Sequence, residues 1–67
     1  IDRYIKEALS QIDDIDVKKS VCYTLIKSRQ SDNLVFVYLD NLSTSQKSRV
    51  RIISRMVWYN LYSTKGN

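Results

Sequence analysis

Ser43-Thr-Ser-Gln-Lys-Ser-Arg-Val-Arg-Ile-Ile-Ser-Arg-Met-Val-Trp-Tyr-Asn-Leu-Tyr-Ser63 is the stretch that decides the fold. Ser43 or Thr44 can cap a helix, and helical periodicity then runs from about Ser45 to Ser63, a rod of roughly 28 Å. On a helical wheel it divides into three faces. Val50, Ile53, Val57 and Leu61 make one apolar stripe, the expected intramolecular core. Lys47, Arg51 and Arg55 follow one another four residues apart on a second face, continued by Trp58 and Tyr62. Ile52, Met56 and Tyr59 make a third, apolar strip away from the core stripe. A helix that is apolar on two sides is expected to be covered on two sides.

The segments upstream supply the first cover. From about Asp2 to Ile12, the residues Ile5, Ala8, Leu9 and Ile12 fall at helical spacing, with Tyr4 beside them. Asp13 and Asp14 break that helix, and Asp16 reads as the N-cap of a second one running to about Arg29. In it Val17, Val21, Thr24, Leu25 and Ser28 share a face, with Val21, Leu25 and Ile26 as core contacts. Leu34-Val-Phe-Val-Tyr-Leu39 has the composition of a buried strand. A single strand lacks a partner here, however, and Leu34, Val37, Tyr38 and Leu42 also fit helical spacing behind a cap at Ser31 or Asp32. We read it as a possible short fourth helix at 32–41; the alternative is a ribbon formed between two chains. The chain has no Pro, and its one Gly is Gly66, which disfavours an all-β fold. The expectation is an all-α domain over residues 1–67, three main helices, forming an intertwined or face-to-face homodimer.

Size makes the same demand. A chain of 67 residues and 7.9 kDa buries only about 60% of its unfolded surface and usually needs a staple. Cys22 is the one cysteine and there is no histidine, so an intramolecular disulfide is excluded and a zinc site is not expected. The commonest general base is missing too. The expected function is non-enzymatic, with no cofactor and no metal. Asp13-Asp14-x-Asp16 lacks the glycine and terminal Glu of a calcium loop and reads as a turn and a cap. Self-association is the remaining staple. No apolar run is long enough to span a bilayer, and the start at Ile1 suggests a domain cut from a longer protein.

Charge is uneven along the chain. Arg3, Lys6, Lys18, Lys19, Lys27 and Arg29 face seven acids in residues 1–40, whereas residues 41–67 carry Lys47, Arg49, Arg51, Arg55 and Lys65 and no acid. Solvated faces normally mix signs, so this asymmetry points to a polyanionic partner. Lys47, Arg51 and Arg55 are the candidate phosphate contacts, Tyr62 a candidate stacking ring, and Lys19, Lys27 and Arg29 a candidate extension of the patch. Ile52, Met56 and Tyr59 are the candidate dimer interface. Trp58, between the basic and core faces, is the candidate contact between dimers.

Two resemblances carry further expectations. The run Arg51-Ile-Ile-Ser-Arg-Met-Val-Trp-Tyr-Asn60 resembles the homeodomain recognition helix, in which an aromatic pair is followed shortly by an Asn. That family keeps one residue between the pair and the Asn, and here Asn60 follows Tyr59 directly, so base reading is not carried over to Asn60. Over the whole chain, from Asp2-Arg-Tyr-Ile-Lys-Glu7 to Trp58-Tyr-Asn-Leu-Tyr62, the sequence resembles the C-terminal domain of the membrane-anchored DNA replication organisers of protein-primed Bacillus phages. The resemblance implies a homeodomain-like dimer that multimerises on single- and double-stranded DNA without sequence preference. It also implies an upstream transmembrane anchor and coiled coil, and a location on the cytoplasmic side of the host membrane. The competing expectations are a sequence-specific helix-turn-helix regulator and a protein–protein assembly module with no affinity for nucleic acid.

Overall fold

The one glycine of the chain is Gly66, so helix ends inside the chain are capped by other residues, Asp14, Asp32 and Ser43 among them. In the computed structural model the backbone is described for residues 2–66 and the side chains for residues 3–61. Helix α1 spans Asp2–Ser10, α2 spans Ile15–Ser31 and α3 spans Thr44–Gly66. The fold is all-helical, with no strand among the described residues.

Helix α1 turns its apolar stripe inward: Ile5, Ala8 and Leu9 pack against the core and Ile12, just beyond the helix, is buried. Its last turn tightens, the amides of Gln11 and Ile12 donating to the carbonyls of Ala8 (3.3 Å) and Leu9 (3.1 Å). The N-cap of α2 is Asp14, two residues before the expected Asp16. Its carboxylate accepts from the amides of Asp16 (3.0 Å) and Val17 (3.3 Å), the amides a cap must satisfy. Asp16 instead lies in the first turn, where a negative charge suits the helix dipole. At the other end Asp32 adopts the left-handed conformation, φ 54°. Its amide bonds Arg29 O and the amide of Asn33 bonds Ser28 O (3.1 Å), a Schellman ending with aspartate where glycine is usual. Asn41, φ 69°, fills the other left-handed position; Asp and Asn tolerate it best among non-glycine residues.

The core is built mainly between α2 and α3. Val17, Val21, Val50 and Val57 are fully buried, joined by Ile12, Leu25, Leu42 and Trp58. The stripe expected on α3 is there, with Ile53 and Leu61 packed at its margins. Ile26 is a correction: at 49% exposure it lies on the outer side of α2 rather than in the core. Trp58 is another departure. It is 6% exposed and belongs to the chain's own core, because the helical turn places it next to Ser54 rather than beside Tyr59.

The segment 34–39 is not a helix. It runs extended along α2, and its partner is a row of hydroxyls. Ser28 Oγ accepts from Val35 N (2.8 Å) and donates to Val35 O (3.2 Å). Thr24 Oγ1 does the same for Val37, at 2.8 and 3.2 Å. Ser20 Oγ accepts from Leu39 N at 3.1 Å. All three hydroxyl residues are fully buried. Hydroxyls four apart on a helix rise by about 6 Å, close to the roughly 6.7 Å between alternate residues of an extended chain. The helix therefore serves as the neighbouring strand, and residue numbers rise in opposite directions along the two. The extended return brings the start of α3 back to the start of α2, where Gln46 Nε2 donates to Asp14 Oδ2 at 3.0 Å.

Candidate nucleic-acid interface

Alternate residues of an extended chain point to opposite faces, so once Val35, Val37 and Leu39 are clamped by their backbones, Leu34, Phe36 and Tyr38 share a face. Leu34 and Tyr38 pack against the core and Phe36 stacks beside Tyr38, ring centroids 6.3 Å apart and 18° from parallel. The basic row of α3 lies over these rings. Lys47 Nζ is 5.9 Å from the centroid of Tyr38, and Arg55 Cζ is 5.6 Å from that of Phe36. Between them Arg51 Nη2 donates to Ser48 Oγ at 3.1 Å.

Among the described residues no carboxylate pairs with Lys47, Arg51 or Arg55. Cation–ring contacts at exposed sites are worth only about 0.5–1 kcal/mol and use the ring face rather than a hydrogen-bond acceptor. The rings therefore hold the ends of the cations in place and leave their N–H donors unspent. Lys47 and Arg55 are exposed and Arg51 is half-buried, so the row presents at least two outward cations about 12 Å apart along the helix. Phe36 and Tyr38 are the site residues that the sequence reading passed over. The period-two placement of Leu34, Phe36 and Tyr38 was the signal that could have found them.

The other expected site residues do not gather into one patch. Lys19, Lys27 and Arg29 are exposed on α2, but lie about 80° to 160° apart around that helix. The side chain of Tyr62 lies outside the described residues. Ile52, Met56 and Tyr59 remain uncovered at 63, 55 and 58% exposure, forming an apolar strip next to the basic row. Asn60, the residue at issue in the homeodomain comparison, donates from Nδ2 to the Tyr4 hydroxyl at 2.8 Å and ties α3 to α1. No family model, curated protein or solved structure matches the chain.

Acidity is concentrated elsewhere. Asp14 is held below the usual carboxylate range, first by the hydrogen bond from Gln46, then by the Val17 and Asp16 amides, with Arg49 adding attraction. It serves the two helix starts rather than the basic row.

Proposed function

We propose that the chain binds DNA through its phosphates, single- or double-stranded, without reading base sequence, and that it does so as a homodimer. One observation carries this reading: three cations four residues apart on one helix, the outer two placed over aromatic rings and the middle one bonded to Ser48, and none met by a carboxylate among the described residues. Like charges at that spacing repel by a few tenths of a kcal/mol per pair, and a polyanion relieves the repulsion. The exposed strip of Ile52, Met56 and Tyr59 supports the dimer. Among the described residues nothing covers that strip, and a second copy offers the self-complementary cover that two-fold symmetry requires.

Following the resemblance to phage replication organisers, the proposed role is to organise phage DNA replication at the host membrane, on the cytoplasmic side, by multimerising on DNA. Among the described residues no helix is long and apolar enough to cross a membrane; a membrane anchor is part of what the resemblance implies. A helix-turn-helix with α3 as its second helix fits less well. That motif joins its helices by a turn of three or four residues, whereas residues 32–43 between α2 and α3 form an extended return. Only the α1–α2 junction at 11–14 has that length.

The test is a titration with random-sequence single- and double-stranded DNA at several salt concentrations. Affinity should fall steeply with salt, from a non-specific Kd of roughly 10⁻⁴ to 10⁻⁶ M per binding unit at physiological ionic strength. Preference for one sequence by orders of magnitude would instead identify a regulator. No affinity at all would leave an assembly module.

A further inference from the structure

The backbone of residues 34–39 has two edges, and only one of them is used. The amides of Val35, Val37 and Leu39 all reach hydroxyls of α2. The amides and carbonyls of Leu34, Phe36 and Tyr38 point the opposite way, and among the described residues they have no hydrogen-bond partner. All six residues are only partly buried. Folded proteins guard such an edge with charges, prolines or bulges, or by covering it. Leu34-Val-Phe-Val-Tyr-Leu39 contains no charged residue, no Pro and no Gly. It is an unguarded extended edge on a fold with no sheet among the described residues.

We propose that this edge pairs with the same edge of a second copy, antiparallel about a two-fold axis at Phe36. The occupant follows from register. In an antiparallel pair, residues that turn their amides towards each other exchange both hydrogen bonds, at every second position. With Phe36 opposite Phe36, Leu34 falls opposite Tyr38, so all three outward residues are satisfied at once and the contact is isologous. The segment thus supplies its own complement, uncharged from Leu34 to Leu39. The pairing also sets two basic rows side by side, because each row lies over the Phe36 and Tyr38 rings of its own copy. This contact is separate from the α3 strip. Two different isologous contacts on one chain join dimers into larger assemblies, a closed dihedral tetramer where the two axes meet at right angles and an open array where they do not meet. The inference goes beyond the DNA-binding reading and is tested without DNA.

The experiment is amide hydrogen exchange by NMR on the intact chain at rising protein concentration. The amides of Val35, Val37 and Leu39 should be protected throughout. Those of Phe36 and Tyr38 should exchange freely when dilute and slow by at least about tenfold when concentrated. A chemically synthesised chain with an ester in place of the Phe36 amide keeps every side chain, removes one outward donor and weakens the Val35 carbonyl that accepts from Ser28. It should stay folded, melting somewhat below the parent, yet lose the concentration-dependent protection at Tyr38. The proposal is overturned if the Phe36 and Tyr38 amides exchange equally fast at all concentrations, or if they are already protected in the monomer. Protection that appears only with an added extended peptide would assign the edge to a different partner and equally overturn the self-pairing.

Discussion

Gln46 and Asp14 fasten the first turns of α3 and α2 together: the Gln46 amide nitrogen donates to the Asp14 carboxylate at 3.0 Å while its oxygen accepts from Ser43 N at 2.8 Å. Ser43 Oγ in turn accepts from Gln46 N at 3.1 Å, completing a capping box. One side chain thus caps its own helix and grips the cap of another. Because these bonds favour the ionised carboxylate, the pKa of Asp14 is lowered in the folded state. A depressed folded-state value means that the contribution is fully present above the ordinary value of 3.8 and is lost as pH falls below it, through the folded-state value. Thermal melts of the parent should therefore fall off below about pH 4, and those of Asp14→Asn should show a shallower acid limb. Identical limbs would remove Asp14 from the acid transition.

The hydroxyl row makes a stability prediction. Thr24→Val keeps the shape of the side chain but leaves Val37 N–H and C=O without their partner, a loss of about 1–3 kcal/mol. Thr24→Ser retains the hydroxyl and should cost clearly less. Urea denaturation separates them; equal midpoints for the two variants would contradict the role of the hydroxyl.

Trp58 makes a second. With 6% exposure in a core of eight buried apolar residues, Trp58→Ala should cost about 3–5 kcal/mol, enough to unfold a chain of this size. Circular dichroism would show this directly. A folded Trp58→Ala protein defective only in association would restore Trp58 to an interface.

The apolar strip behaves differently. Ile52 and Met56 are more than half exposed, so Met56→Glu and Ile52→Glu should leave a folded chain that no longer pairs through α3 and associates no further than the 34–39 pairing allows. Sedimentation equilibrium of the double variant reads this, and self-association of undiminished affinity and size would refute the proposed interface.

For DNA binding, Lys47→Ala and Arg55→Ala should each reduce the slope of log affinity against log salt by about one unit, for all sequences alike. Lys19→Ala, on another face of the molecule, should change it little. A slope unchanged by either α3 substitution would take the row out of the interface.

The register of α3 and the inward face of α2 were legible in the sequence because Val17, Val21, Leu25, Val50 and Val57 recur at helical spacing and all are buried. The segment 34–39 was not. Its apolar residues satisfy both a helical and an alternating pattern, and the expected argument against a strand was the lack of another strand. The true partner is Ser20, Thr24 and Ser28, whose four-residue spacing was visible but reads as polar filling rather than as a pairing edge. Trp58 was misplaced because it sits at the boundary of two faces, where a wheel alone does not decide. The basic row was legible as a row, whereas the rings beneath it depended on the strand.

The helix-for-strand pairing behaves like a vernier. Each rung on α2 advances about 6 Å and each rung on the extended chain about 6.7 Å, so the two scales drift apart by roughly 0.7 Å per step. The first two rungs carry bonds both to and from the backbone, whereas the third, Ser20 with Leu39, has a bond in one direction only. A fourth hydroxyl would fall out of step. The strap ends where the next position on the same face of α2 is Asp16, which carries no hydroxyl, and where the chain turns away at the left-handed Asn41.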